Sequence, residues 1–125
     1  MNISPNPVVY FEIPVTNMER AQRFYETVFD VAFEKEVIDG NDMALFPFSE
    51  NQTGITGALA KGDSYRPGRE GTLVYFGTDQ IDDVLVKAQQ NGGAVLYPKT
   101  ANEYGYVAEF EDTEGNRIGL FMKTE

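Results

Sequence analysis

The sequence contains no cysteine and no histidine among its 125 residues. Without cysteine, the chain cannot form disulfides, cysteine-ligated zinc sites or iron–sulfur clusters, and it has no thiol nucleophile. Without histidine, it cannot build a Ser-His-Asp triad or a histidine-ligated zinc or iron site. The groups left for chemistry are carboxylates, tyrosines, lysines, arginines and small hydroxyls.

Basic residues are also scarce, with 10 Lys and Arg against 20 Asp and Glu and a formal net charge of -10. Such a charge opposes binding to polyanionic backbones and to anionic lipid surfaces, so we expect no nucleic acid and no membrane partner. No apolar run approaches the roughly 18 residues of a spanning helix, and the first residues lack a basic segment ahead of an apolar one. We therefore expect a mature cytoplasmic chain.

The first half of the sequence predicts a strand, a helix and three further strands. Residues 8–15 are rich in β-branched and aromatic types, which favours a strand. Thr16 or Asn17 can cap a helix over about 18–29, where apolar residues recur every three or four positions. Strands near 31–38, 42–48 and 54–60 follow, separated by turn-forming and polar segments.

The second half repeats this order after a connector at 61–70 that is rich in glycine, proline and charge. A strand at 72–78 precedes a helix that Asp79 can cap and that ends near Asn91, before Gly92-Gly93. The last three strands are expected near 94–97, 105–111 and 117–122. The sequence thus predicts a single α+β domain of two duplicated βαβββ modules, about 7–60 and 71–123, forming a curled mixed sheet with the helices outside.

The repeat also predicts a cleft. Tyr10 and Leu73 are 63 residues apart, and Gly57 and Gly119 are 62 apart, so these positions correspond in the two modules. Each helix covers one face of its module, which leaves the opposite faces to border a shared cleft. Alternation along the strands puts eight residues on those faces: Tyr10, Glu12, Gly57, Leu73, Tyr75, Arg117, Gly119 and Phe121.

Three segments, FEIPVTNMERAQRFYETVFD, DDVLVKAQQNGG and FEDTEGNRIGLF, resemble the glyoxalase, bleomycin-resistance and extradiol-dioxygenase superfamily, also called the vicinal oxygen chelate fold. The resemblance covers nearly the whole chain. The branch that it most resembles is a set of small proteins related to lactoylglutathione lyase.

Enzymes of that superfamily hold a divalent metal with side chains, mostly His and Glu, from the first and last strands of each module. Carried across by motif, these positions fall at Tyr10, Gly57, Leu73 and Gly119. None of the four supplies a ligand suited to such a cation, and one carboxylate at Glu12 cannot complete a coordination shell. The resemblance therefore implies a cleft without metal or other cofactor, with room for a larger organic molecule.

Two carboxylates, Glu12 and Glu109, are candidates for acid–base chemistry. Glu12 lies on the cleft face of the first strand, where removal from water would make it a usable general base. The alternative is a structural ion pair with Arg117 or a nearby lysine. Alternation along its strand makes Glu109 a candidate for the same reason. The alternative is that Glu109 is a carboxylate exposed to solvent on that strand.

Four tyrosines and two phenylalanines can line the cleft and stack against a flat ligand; the candidates are Tyr10, Phe46, Tyr75, Tyr104, Tyr106 and Phe121. Arg66 and Arg69, in the connector, can receive a carboxylate or phosphate, or simply belong to a solvated linker.

The leading hypothesis is a metal-independent protein of this superfamily that binds a small organic molecule, to sequester it or to perform modest acid–base chemistry on it. Because family members commonly pair or swap modules, a homodimer is expected. One alternative is a glyoxalase-like lyase or isomerase with a metal held by Glu12, Glu109 and other carboxylates. Another is an interaction module whose cleft is filled by its own side chains.

Overall fold

The computed structural model describes residues 6–124, so the first residues considered above for a leader lie outside the described part. The first module contains β1 (Phe11–Pro14), α1 (Met18–Phe29), β2 (Glu34–Ile38), β3 (Asn41–Leu45) and β4 (Gly57–Lys61). The second contains β5 (Val74–Gly77), α2 (Ile81–Gln90), β6 (Ala94–Ala101), β7 (Gly105–Glu111) and β8 (Arg117–Lys123). Among these residues, neither helix is long and apolar enough to cross a membrane.

The strands form two four-stranded mixed sheets with the same topology. The first has the order β1-β4-β3-β2 and the second β5-β8-β7-β6. In each sheet the first strand of the module runs parallel to the last, while the other neighbours are antiparallel. This confirms the α+β fold class predicted from the repeated order of elements.

The predicted element boundaries are accurate for α1 and β7 and less so elsewhere. The side chain of Asn17 caps α1 by accepting a 3.0 Å hydrogen bond from the amide of Arg20. The cap expected at Asp79 is wrong, because α2 begins after Gln80, whose side chain makes no capping bond. Thr78 instead accepts a hydrogen bond from the amide of Gln80 at 3.0 Å.

One hydrophobic core serves both modules. The ring of Phe24 on α1 lies 5.7 Å from that of Phe110 on β7, and Phe29 stacks on Phe76 of β5 at 4.5 Å. Both helices and the helix-facing sides of both sheets contribute to this cluster. Within residues 6–124, the opposite sheet faces do not bury each other, since Glu12 is exposed and Tyr75 is 50% exposed.

A tight turn at 112–116, between β7 and β8, joins the modules. The buried carboxylate of Asp112 accepts hydrogen bonds from the hydroxyl of Tyr25 on α1 at 2.5 Å and from the amides of Glu114 and Asn116 at 2.8 and 2.9 Å. Burial raises the pKa of Asp112 although these donors act in the opposite direction. The side-chain amide of Asn116 also donates to the carbonyl of Pro14 at 2.8 Å.

Glu114 of the same turn caps the helix of the other module. Its fully buried carboxylate accepts from the amides of Thr16 and Asn17 at 2.9 and 2.8 Å and from Arg20 Nε at 2.7 Å. A negative charge at a helix N-terminus is favoured by the helix dipole. Burial alone would raise the pKa of Glu114, but the bonds from Arg20 and the two amides outweigh it and lower the pKa to about 2.

The low pKa of Glu114 predicts that part of the free energy of unfolding is lost at acidic pH. A carboxyl whose folded pKa lies below its ordinary value of 4.5 stabilises the fold above that value, and this contribution disappears as the pH falls toward about 2. We expect Glu114→Gln to lower the free energy of unfolding at pH 7 by about 1–2 kcal/mol, discounted for the solvent-exposed Arg20 partner. Urea denaturation at pH 7, 5, 3 and 2 should show the two proteins converging at low pH. Parallel curves would contradict this assignment, since Asp112 contributes equally to both.

Candidate functional site

A cleft with a volume of about 670 Å³ lies where β1 meets β5 and β8. The connector after β4 forms its remaining wall. Its lining is Glu12, Ile13, Pro14, Arg66, Gly68, Arg69, Glu70, Thr72, Val74, Asn116, Arg117 and Ile118. The cleft therefore combines aliphatic walls with a small set of charged side chains.

The second sheet contributes an arginine that is already oriented. Arg117 donates from Nε and from a terminal nitrogen to the two carboxylate oxygens of Glu109, at 2.7 and 3.1 Å. This bidentate hydrogen bond raises the pKa of Arg117 and fixes the plane of the guanidinium. Glu109 is thus paired rather than solvated, and the expected alternative pairing of Glu12 with Arg117 is not formed.

Glu12 accepts two tyrosine hydroxyls instead. Tyr10 donates to Oε2 at 3.1 Å, and Tyr65, in the connector, donates to Oε1 at 2.7 Å. Partial burial and then the bond to Glu12 raise the pKa of Tyr10 to about 12, so its hydroxyl stays protonated as a donor. The removal from water expected for Glu12 is not found, because its side chain is exposed.

The connector brings two further cations to the cleft. Arg69 forms an ion pair with Glu111 of β7. Arg66 also lines the cleft, is exposed, and forms no ion pair with any residue in the range 6–124. Of the two connector arginines, Arg66 is the one whose guanidinium is available to a ligand.

Gly57 does not lie on the cleft face, contrary to the sequence-based expectation. It pairs with Phe11, and a Cβ atom there would lie 2.0 Å from the Phe11 carbonyl oxygen and 2.7 Å from its ring. It shares its face with Leu59, which belongs to the main core, while Ala58 lies on the opposite face. The strand pairs Glu12–Ala58 and Tyr75–Gly119 therefore correspond, and the expected equivalence of Gly57 with Gly119 is wrong by one residue.

Gly119 and Phe121 do lie on the face away from the core, since they alternate with the core residues Ile118 and Leu120. A Cβ atom at Gly119 would meet the ring of Tyr75 at 2.7 Å, so this glycine makes room for the tyrosine. Leu73 comes directly before β5 and is half-buried.

None of the proposed aromatic residues lines this cleft. Tyr75 and Phe121 lie on the face of the second sheet away from the core but outside the lining, Tyr10 is exposed, and Phe46 is buried in the main core. Tyr106 packs against the main core, on the same face of β7 as Ala108 and Phe110, and its ring lies 4.7 Å below the ammonium of Lys99. Tyr104 is 69% exposed in the turn between β6 and β7. Neither residue lines the cleft.

The side chains present do not fit a metal centre of the kind that the family resemblance implies. The four positions carried across hold Tyr10, Gly57, Leu73 and Gly119, and Gly57 faces the core. Within residues 6–124, no group of three or more histidine, cysteine, aspartate or glutamate side chains is placed to hold an ion. We therefore derive no chemical step through a metal.

The chain belongs to the Glyoxalase/Bleomycin resistance protein/Dioxygenase superfamily, whose family model matches residues 8–120. Among curated proteins, none matches the sequence closely enough to indicate homology.

Solved structures agree with this assignment. TnmS3, an antibiotic binding protein from Streptomyces sp. CB03234, is 26% identical with a TM-score of 0.68, and the match covers 99% of both chains. A glyoxylase/bleomycin resistance protein/dioxygenase domain from Frankia sp. EAN1pec has a TM-score of 0.75 at 17% identity, covering 98% of this chain and 95% of that one. The fosfomycin resistance protein FosX from Listeria monocytogenes has a TM-score of 0.72 at 14% identity, covering 98% and 94%.

Sequence reasoning missed Tyr65. It is the only aromatic residue in the stretch KGDSYRPGREG, at 61–71, which otherwise contains polar, charged, glycine and proline residues. An isolated aromatic side chain in such a segment was the available signal, because nothing else there could pack against a sheet.

The two strand glycines predict different responses to alanine. Gly57→Ala must move the backbone of β1, and we expect it to lower the free energy of unfolding by about 1–3 kcal/mol or more. Gly119→Ala meets only the side chain of Tyr75, which is half-exposed and can rotate away, so its cost should be smaller. Gly77→Ala, with no atom within 4 Å of the new Cβ, is the control. Urea denaturation would contradict the assigned faces if Gly119→Ala were the more damaging variant.

Proposed function

We propose that this protein binds a small organic molecule in the cleft beside Glu12 and Arg117, without using a metal ion. The observation that carries the proposal is the cleft itself, about 670 Å³ in volume, which is within the roughly 300–1,000 Å³ typical of small-molecule sites. The antibiotic-binding TnmS3, at 26% identity over the full chain, supports the same class of function.

The lining suits an organic ligand with an apolar body and a few polar groups. Pro14 and Val74, both half-buried, provide apolar surface, while Glu12, Arg66 and Arg117 supply charged groups. Arg66 is free to pair with an acceptor, and the guanidinium of Arg117 is held in one orientation by Glu109. Such fixed polar groups orient a ligand, while the aliphatic walls contribute most of the affinity.

Sequestration fits these residues better than catalysis. A general base needs a carboxylate within hydrogen-bond reach of the proton that it abstracts. Glu12 is exposed, and each of its oxygens already accepts one tyrosine hydroxyl.

We also propose that two copies associate. The face of the second sheet that turns away from the core exposes Tyr75 and Tyr97, at 50% and 43%. Large exposed aromatic groups are typical of protein interfaces. A second copy covering this face would also close the open side of the ligand site.

Ligand binding can be tested by thermal shift with naphthalene, 2-naphthol and 2-naphthoate. We expect at least one compound at about 100 times its Kd to stabilise the protein by about 2.7 kcal/mol, which corresponds to several degrees in Tm. Thr72→Trp, in the cleft wall, should abolish the shift, and Thr53→Trp, in the loop before β4, should leave it unchanged.

Dialysis against EDTA should leave that binding unchanged. Binding that is lost with EDTA and restored by a divalent ion would support the metal-dependent enzyme instead. If no compound of a wider planar panel raised Tm, the interaction module would be favoured. Recovery of chemically unaltered ligand after long incubation should accompany simple binding.

Light scattering tests the association. Two chains of 14.0 kDa give about 28 kDa, which we expect for the wild type. Tyr75→Glu should shift the mass toward that of one chain, because it places a charge in the proposed interface. Val86→Glu is a matched control, since Val86 on α2 is also 50% exposed but lies on another surface. A wild type at 14.0 kDa at micromolar concentration would contradict the proposal.

A further inference from the structure

The connector places one aromatic ring on the open face of the first sheet. Tyr65 packs against a small cluster formed by Met43, Ala58 and Ala60, which are almost completely buried. This cluster is separate from the main core and lies on the other side of the sheet. The ring of Tyr65 therefore covers the apolar surface on the open face of this sheet, where a ligand would otherwise pack.

The hydroxyl of Tyr65 is held by the carboxylate beside that cluster. Glu12 pairs with Ala58 across β1 and β4, so its side chain lies on the same face as the cluster. Its Oε1 atom accepts the Tyr65 hydroxyl at 2.7 Å. The first sheet thus provides a phenol with an apolar surface to pack against and with a charged hydrogen-bond acceptor.

The second sheet provides an internal comparison. There Tyr75 covers Gly119, as Tyr65 covers Ala58 in the first sheet. Tyr75 belongs to β5 and cannot leave its sheet, because its backbone is paired with β8. Tyr65 belongs to a connector that contains Gly62, Pro67 and Gly68, and its amide donates to the carbonyl of Gly62 at 3.1 Å. Beyond Tyr65 the connector is held by a 3.1 Å hydrogen bond from the Gly68 amide to Asn116 and by the Arg69–Glu111 ion pair, so within residues 6–124 the segment around Tyr65 itself is the part of the connector without strand pairing or a further backbone anchor.

We propose that Tyr65 is a displaceable plug, and that the ligand replaces it with a phenolic ring whose hydroxyl donates to Glu12. This inference rests on the proposed binding function and narrows the ligand to hydroxylated aromatic molecules. The residues that follow Tyr65 form the cleft wall, with Arg66, Gly68 and Arg69 all facing the cavity. Movement of Tyr65 therefore couples occupation of the first sheet to the shape of the cleft.

The charge of the site selects a neutral phenol over a carboxylate in this position. Both oxygens of Glu12 accept hydroxyl groups, one from Tyr10 and one from Tyr65. A carboxylate ligand placed there would face like charge, in a chain whose net charge is already -10. A hydroxyl donor gains a charge-assisted hydrogen bond at the same place.

The test replaces Tyr65 by alanine and adds to the solution a small molecule that matches the missing side chain. 4-Methylphenol is the tyrosine side chain itself, and toluene is the same ring without the hydroxyl. By isothermal titration, we expect Tyr65→Ala to bind 4-methylphenol at least tenfold more tightly than the wild type does, and toluene much more weakly. Tyr104→Ala, which removes an exposed tyrosine outside the cleft, should bind both compounds as the wild type does.

Two further variants separate the parts of the argument. Glu12→Gln combined with Tyr65→Ala should reduce the preference for 4-methylphenol over toluene, because the acceptor is no longer charged. Tyr65→Phe keeps an aromatic ring packed against the apolar cluster but removes the hydrogen bond to Glu12. It should therefore bind 4-methylphenol with an affinity between those of the wild type and Tyr65→Ala. This variant also serves if Tyr65→Ala fails to fold.

Equal affinity of 4-methylphenol for the wild type, Tyr65→Phe and Tyr65→Ala would contradict the proposal that the ligand displaces Tyr65. Failure of folded Tyr65→Ala to bind it at all would do the same. Neither result touches the broader proposal, which depends on the naphthalene series and on Thr72→Trp. Loss of binding in that series would remove the proposed function, and the two failures are therefore distinguishable.

Discussion

The turn at 112–116 is the constraint on which the arrangement of the two modules depends. It places two carboxylates away from water, and the first module supplies hydrogen-bond donors to both of them. Tyr25 donates to Asp112, while the N-terminus of α1 and Arg20 donate to Glu114. Separating the modules would take Tyr25 away from Asp112 and would remove from Glu114 its bonds to Arg20 and to the amides of Thr16 and Asn17. The relative position of β1 and β8, and hence the cleft between them, follows from these bonds.

The fold could be predicted because it depends on local patterns that each segment carries by itself. The stripe of α1 and the cap at Asn17 locate that helix, and the order of elements repeats after the connector. The face of Gly57 could not be obtained in this way, because strand alternation depends on register, and a shift of one residue exchanges the faces. The role of Tyr106 was missed for a related reason, since only tertiary packing shows that its ring covers the core.

The cleft residues were only partly accessible from the sequence. Of the predicted residues, Glu12 and Arg117 line the cleft, and they were found because alternation from a known core face is reliable within one strand. Tyr75 lies on the predicted sheet face but outside the lining. Connector residues follow no such period, so the contribution of Tyr65 and its neighbours to the site depends on where the chain crosses between the sheets. The Glu109–Arg117 pair likewise needed the antiparallel register that brings these strands together.

The location of the core explains how positions such as Tyr10 and Gly119, which the family resemblance assigns to a metal, can carry other side chains in the same fold. The family positions lie on strands whose stability comes from the helix-facing side, where Ile13, Phe76 and Leu120 pack. The opposite face contributes little to the core and can change its side chains at small cost in stability. Tyr10 and Gly119 are positions of this kind: Tyr10 donates its hydroxyl to Glu12, and Gly119 leaves space that the ring of Tyr75 fills. The superfamily scaffold thus provides an open, chemically adaptable sheet face, and in this chain that face presents tyrosine hydroxyls and a carboxylate acceptor.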